Sequence, residues 1–156
     1  MLNTVTSYIT FESIYLMANW GVLPFWLMLI TIPNHGLTRV LAQSVIAPLL
    51  LSIAYVYVGY EIYLNGDIFS GFNLYLGLDN LYSLYSQEGF LLIFWLHFLS
   101  ISLFIGSWIV RDSLKYYIPR IFTSISLIIT YFSGPVGLVF YWFIRIFFAK
   151  KISFND

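Results

Sequence analysis

The sequence predicts an all-α, polytopic membrane protein that forms a single domain over residues 1–156 and has four transmembrane helices. Hydrophobic residues make up 60% of its 156 residues. Charged residues make up only 9%, whereas a soluble globular domain carries about a quarter. Four apolar segments also reach the roughly 20 residues that a helix needs to cross a bilayer. A chain of this composition is expected to lie in a membrane.

The first two predicted spans cover residues 13–32 and 42–63, and both contain proline. Pro24 interrupts the first span and Pro33 closes it, while Pro48 lies near the start of the second. Proline removes a backbone hydrogen bond and bends a helix, which membrane proteins tolerate where neighbouring helices cover the freed carbonyl. Bent helices leave gaps between them, and such gaps can bind ligands.

The segment between the second and third spans, residues 65–89, has a different character. It contains acidic side chains but no lysine or arginine. Within it, apolar side chains recur at intervals of three and four residues, which places them on one face of a helix. They are Leu74, Leu78, Leu81 and Tyr85. The pattern predicts a short amphipathic helix on the membrane surface.

The third predicted span, residues 90–110, consists of twenty-one residues without a formal charge and includes His97. A histidine inside a membrane costs free energy unless a partner satisfies it, so His97 is a functional candidate. Three basic residues follow in a short segment that is predicted to lie at the lipid headgroups: Arg111, Lys115 and Arg120.

The fourth predicted span covers residues 121–144 and contains the pair Gly134-Pro135. Four spans would place both termini on the same side. Because no basic residue precedes the first span and Arg39 follows it, that side is predicted to be the non-cytoplasmic one. The alternative is a re-entrant hairpin bent at Gly134-Pro135, which would place all seven basic residues on one side. The twenty-four apolar residues favour the plain span.

Counting from the ends of the spans predicts one shallow polar layer. At ~1.5 Å per residue, four side chains fall about 5–10 Å below the same surface: Asn19, Tyr57, His97 and Tyr141. Near its mouth lie Glu12, Glu61 and Glu88. The catalytic candidates are His97 and Tyr141, and the predicted ligand-binding residues are Asn19, Tyr57, Trp95, Ser100, Gly134 and Pro135. Alternatively, these groups form interhelical hydrogen bonds that only fix the packing.

Composition also bounds the cofactors and partners. A net charge of zero argues against nucleic acid as a partner. No cysteine is present, and no second histidine or carboxylate lies one helical turn from His97, so no metal site is predicted.

A haem with two histidine ligands is excluded, because His35 and His97 lie about 20 Å apart in depth. A haem or chlorophyll held by His97 alone stays open as an alternative.

Several of these segments resemble the abscisic-acid-deficient-four family. They run W-L-H-F-L-S-I-S-L-F-I-G-S-W-I-V-R-D-S (residues 95–113), I-P-R (118–120), G-P-V-G-L (134–138) and A-N-W-G-V-L-P-F-W (18–26). The resemblance covers nearly the whole chain. It implies four spans and a role like that of the plastid members, which are required to form neoxanthin from violaxanthin. The chain departs from the expected pattern at Ser102, where the resemblance leads us to expect an aspartate.

Two functional hypotheses follow. In the first, the protein binds or isomerises a carotenoid or a similar polyene lipid; no cofactor is required, and a bound carotenoid or another pigment or lipid is the candidate. In the second, the protein is a non-catalytic subunit of a larger photosynthetic or respiratory membrane complex. Both hypotheses place it in a bacterial inner membrane or an organelle membrane, with the lipid bilayer as its first partner.

Overall fold

The computed structural model describes residues 10–64, 72 and 75–150, and this part of the chain is helical, without strands. The described helices are α1 (Phe11–Thr31), α2 (Gly36–Leu41), α3 (Ile46–Leu64), α4 (Leu78–Tyr85), α5 (Glu88–Lys115), α6 (Arg120–Ser133) and α7 (Pro135–Ala149). The helical fold class is therefore confirmed.

Three helices, α1, α3 and α5, are long and apolar enough to cross a membrane. They correspond to the first three predicted spans, with ends that differ by up to five residues. Thr10 and Ser13 start α1 with reciprocal hydrogen bonds between side chain and backbone, a capping box. Pro24 lies inside α1 without ending it. Pro48 lies in the first turn of α3, where a missing N–H breaks no helical bond.

Helices α1 and α5 run in the same direction, and α3 runs against them. At one end, Gly89 of α5 lies against Ile62 of α3 and Phe11 of α1. At the other end, the Arg120 guanidinium donates a 2.7 Å hydrogen bond to the Thr31 carbonyl. We call the first end the acidic end, because it carries Glu12, Glu61, Asp79 and Glu88. We call the other the basic end, because it carries Arg39, Arg111, Lys115, Arg120, Arg145 and Lys150.

Helix α5 is the centre of the bundle, packed against α1, α3, α6 and α7. A column of leucines along it is buried: Leu92, Leu96, Leu99 and Leu103. Facing residues from the two other long helices are buried with them, including Val22 and Leu29 of α1 and Val58 of α3. The most continuous packing therefore runs along α5, which contacts every described helix except α2.

The fourth predicted span is not one helix, and this part of the prediction was wrong. Residues 120–149 form two antiparallel helices that turn back at Gly134. The rings of Phe122, near the start of α6, and Phe148, near the end of α7, lie 5.5 Å apart. With 14 and 15 residues, each helix extends about 21–23 Å, less than the roughly 30 Å of a bilayer core. The bend at Gly134-Pro135 agrees with the hairpin alternative, whose re-entrant position in the membrane stays a prediction.

Two glycines explain why the chain can turn so sharply. Gly134 has φ 49° and ψ −96°, a conformation that residues with a Cβ atom rarely adopt. Gly137 packs directly onto α6, where a Cβ atom would lie 2.6 Å from the Thr130 Cα atom. Pro135 begins α7, and its fixed φ suits a first helical position. We call α6 and α7 together the α6–α7 hairpin.

Helix α4 forms within the segment where an amphipathic helix was predicted. Its Leu84 side chain is buried, whereas Leu78 is 79% exposed. Tyr85 contacts α5 through Phe94, with ring centroids 5.0 Å apart. Leu74, the first residue of the predicted apolar face, lies outside the described residues. The location of α4 on the membrane surface stays a prediction.

Candidate functional site

The predicted polar layer is only partly assembled. Asn19 and Trp95 do meet: the indole N–H of Trp95 donates to the Asn19 side-chain oxygen at 3.1 Å. The Asn19 amide nitrogen also donates to the Tyr15 carbonyl at 2.8 Å. Both depth and direction are right for this pair, because the two side chains project into the same α1–α5 interface.

His97 points elsewhere. Its side chain is exposed on the outside of the bundle, beside the Tyr55 ring of α3 at a centroid distance of 6.4 Å. Two residues along a helix correspond to about 200°, so His97 faces nearly opposite to Trp95. Tyr57 is half-buried on α3. The depth calculation ignored these directions, and His97 does not contact the Asn19–Trp95 pair.

The other predicted residues lie at three further places. The Ser100 hydroxyl donates to the Pro48 carbonyl at 3.3 Å, which ties α5 to α3. Gly134 lies against Phe98 and Ser102 and does not widen a space beside His97. Pro135 is exposed next to it. Tyr141 lies toward the basic end, because α7 runs back in that direction.

Trp95 of this pair also lines a pocket between α1 and α5, which we call the acidic pocket. Its volume is about 680 Å³, and its lining residues are Thr10, Phe11, Glu12, Tyr15, Glu88, Leu91, Leu92 and Trp95. Glu12 and Glu88 lie in the first turns of α1 and α5, where the helix dipole favours a negative charge. Tyr15 and Trp95 have ring centroids 6.2 Å apart.

The chemistry of the acidic pocket follows from this lining. The walls are aromatic and aliphatic, so they suit an apolar body. The two carboxylates are exposed at the mouth, so they can accept hydrogen bonds from a hydroxylated ligand. Below Trp95, the Phe98 ring stacks at 5.5 Å and separates the pocket from the interior. The pocket therefore suits an amphiphile with one polar end.

A second polar cluster, which the sequence did not indicate, lies inside the basic end. Asp112 accepts hydrogen bonds from the Tyr141 hydroxyl at 2.7 Å and from the Arg145 Nε at 2.8 Å. Arg145 and Tyr141 are fully buried. The Arg145 guanidinium also lies over the Tyr116 ring at 4.8 Å. We call Asp112, Tyr141 and Arg145 the Asp112 cluster.

Neither Asp112 nor Arg145 was among the site residues predicted from the sequence. The missed signal was the position of Arg145 within an apolar run, one helical turn after Tyr141. Such an arginine in a membrane helix needs a carboxylate nearby, because an uncompensated charge is costly there. Only the reversal of the chain at Gly134 brings that carboxylate within reach.

An apolar groove of about 330 Å³ also lies between α1 and α3, with Met17, Gly21, Leu50 and Ala54 among its lining residues. It has no charged side chain. Among the residues that the structure describes, no three His, Asp or Glu side chains lie close enough together to bind a metal ion.

The fold and its pockets define a polytopic helical membrane protein with an amphiphilic pocket at one end. The chain belongs to the ABA4-like family, described as ABA DEFICIENT 4-like, whose model matches residues 13–141. It is similar to the protein ABA DEFICIENT 4, chloroplastic, of Arabidopsis thaliana, with 26% identity over 131 residues. This match covers 82% of the chain but only 58% of the relative. No solved structure matches the chain.

Proposed function

We propose that this protein binds a carotenoid or xanthophyll in the membrane and holds its oxygenated end ring in the acidic pocket. The observation that supports this is the pocket itself, in which apolar and aromatic walls lead up to two carboxylates. A hydroxylated ring at the end of a polyene has the same distribution of polarity. Membership of the ABA4-like family, and the xanthophyll role that the resemblance implies, point to this class of lipid.

The same pocket could support an isomerisation of an epoxy-xanthophyll to an allenic alcohol. In this reaction an epoxide C–O bond breaks, the oxygen gains a proton, and a neighbouring carbon loses one as a new C=C bond forms. One group must donate a proton and another must accept one. Glu12 and Glu88 line one pocket and are the candidates for these two roles, whereas His97 and Tyr141 do not line it.

The binding proposal is tested by purifying the protein from cells that make hydroxylated carotenoids and measuring pigment per protein. Trp95→Leu removes the aromatic wall and the hydrogen bond to Asn19, so we expect a loss of pigment of about tenfold or more. Trp20→Leu is the matched control, because Trp20 is 71% exposed on α1 and does not line the pocket. It should retain its pigment.

Two outcomes would contradict the proposal. Equal pigment in both variants would show that the acidic pocket does not hold the carotenoid. A wild-type protein that carries no pigment, and purifies only within a larger assembly, would instead favour the accessory-subunit hypothesis. The thermal stability of both variants is measured alongside, so that pigment loss through unfolding is recognised.

A further inference from the structure

One groove runs between α1 and α5. One half of it is open, and the other half is filled by protein. Along α5, the residues that face it recur at intervals of three and four: Leu91, Trp95, Phe98, Ser102 and Gly106. This spacing places them on one helical face. The first two line the acidic pocket, and the last three contact other protein segments. The acidic pocket is therefore the open half of this groove.

The α6–α7 hairpin fills the other half. Its tip at Gly134 lies against Phe98 and Ser102, with 3.3 Å from a Cβ position to each side chain. Further down, Gly106 lies against Trp26 of α1 and Leu127 of α6. Tyr131 of α6 also packs edge-on against Trp26 at 5.5 Å. The hairpin thus occupies the groove from the basic end up to Phe98 and stops there.

The depth of the open half follows from α5. From Glu88 at the mouth to Phe98, which the hairpin tip contacts, there are ten residues, which correspond to about 15 Å at ~1.5 Å per residue. That is half of the roughly 30 Å hydrocarbon core. A carotenoid is long enough to cross the whole core, so only part of it fits into this space.

We infer that the acidic pocket recognises one end of a polyene only: the polar end ring and the adjoining part of the chain. The hairpin tip blocks the path beyond Phe98, so the remainder of a long polyene leaves the groove sideways into the lipid. The inference rests on the proposed function and adds how much of the polyene the acidic pocket recognises. A polyene of half the length with one polar end should bind as well as a full carotenoid.

The competing location for a polyene is the apolar groove between α1 and α3. Two matched variants separate the two locations. Leu91 lines the acidic pocket and is 53% exposed, and Leu50 lines the α1–α3 groove and is 56% exposed. Leu91→Trp fills the first space and Leu50→Trp fills the second. Neither side chain belongs to the buried core, so both variants should fold.

The experiment measures binding of zeaxanthin, a full-length dihydroxy carotenoid, and of retinol, a half-length polyene alcohol, to the purified full chain in detergent micelles. Direct titration gives each dissociation constant, and retinol is also tested for its ability to displace zeaxanthin. We expect the two constants to agree within about threefold. We also expect Leu91→Trp to weaken both by about tenfold or more, and Leu50→Trp to change neither.

Three results would overturn the inference. Tight binding of zeaxanthin with retinol at least about thirtyfold weaker would show that the whole carotenoid is recognised. Loss of binding in Leu50→Trp and not in Leu91→Trp would move the site to the α1–α3 groove. Binding of neither compound by the wild-type protein would remove the proposed function, and the inference with it.

Discussion

At the scale of single residues, Asp112 links helix α5 to helix α7 of the hairpin. Its carboxylate accepts hydrogen bonds from both Tyr141 and Arg145 of α7. These contacts hold α7 against α5 and bury a guanidinium that is 0% exposed. A buried pair of this kind contributes little compared with a good apolar contact, but removing one member is costly because the other charge stays behind.

We therefore expect Asp112→Asn to lower the free energy of unfolding by about 3–5 kcal/mol, because the Arg145 charge loses its carboxylate. Tyr141→Phe removes one donor to that carboxylate and should cost less, about 1.5–3 kcal/mol. Thermal unfolding in detergent measures both. Asp79→Asn is the control, since Asp79 is exposed on α4, and it should be neutral. Equal stability of Asp112→Asn and the wild type would contradict the ion pair.

The proposed chemistry makes a second prediction at this scale. Glu88→Gln keeps the size of a pocket side chain but removes its ability to exchange a proton, so conversion of an epoxy-xanthophyll should fall about a hundredfold. His97→Gln is the matched comparison outside the pocket, and it should leave conversion and pigment content unchanged. Pigment analysis of both purified variants is the measurement. The opposite pattern would return the catalytic role to His97.

The sequence indicated part of the candidate site. Asn19 could be placed below the surface, and the three glutamates at the mouth above it, because helix rise converts sequence position into depth. The direction of each side chain could not be obtained in the same way, since it depends on how α1, α3 and α5 are rotated against one another. For this reason His97 does not meet Asn19, and Tyr141 does not because the chain turns back at Gly134; the catalytic role of each stays a prediction.

At the scale of helices, the three long spans were predictable because length and hydropathy define them. The α6–α7 hairpin was not, because a run of twenty-four uncharged, mostly apolar residues satisfies the same criterion whether it crosses the bilayer once or enters and returns. What decides between the two is the left-handed Gly134 and the contact of Gly137 with Thr130. Both are tertiary features that hydropathy does not record.

Substituting these glycines tests the hairpin. Gly137→Ala should destabilise the protein by about 1–3 kcal/mol, because the added methyl group overlaps the Thr130 backbone. Gly134→Ala should cost about 1–3 kcal/mol because of its positive φ. Gly21→Ala is the control within α1, since a Cβ atom there meets no other atom within 4 Å. Unfolding in detergent should leave this control at least as stable as the wild type.

At the scale of the whole molecule, the charges are separated. All basic residues in the described part lie at the basic end, and most acidic ones lie at the acidic end. We predict that the three long apolar helices cross the bilayer and that the α6–α7 hairpin enters and leaves it on one side, so that the described start and finish of the chain lie on opposite sides. The positive-inside rule then orients the basic end toward the cytoplasm or its organellar equivalent. The acidic pocket opens to the other side.

This topology replaces the four-span expectation and is directly testable. The chain contains no cysteine, so single cysteines at Thr10 and Lys150 give unambiguous labelling. In sealed vesicles, a thiol reagent that cannot cross the membrane should reach one position and not the other. Labelling both after the membrane is permeabilised shows that each is reactive. Equal labelling from the same side would restore four crossings.

The hairpin also has a consequence for how the protein enters its membrane during synthesis. Residues 121–144 are long and hydrophobic enough for an insertion machinery that responds to hydropathy to insert them as one membrane-spanning helix. The cationic side chains after Gly134, at Arg145, Lys150 and Lys151, resist translocation, and moving an arginine across the bilayer carries a free-energy cost. The final topology therefore depends on whether the hydrophobicity of residues 121–144 or the cost of translocating the basic residues has the larger effect. Neutralising these three positions should let the C-terminal tail be exported.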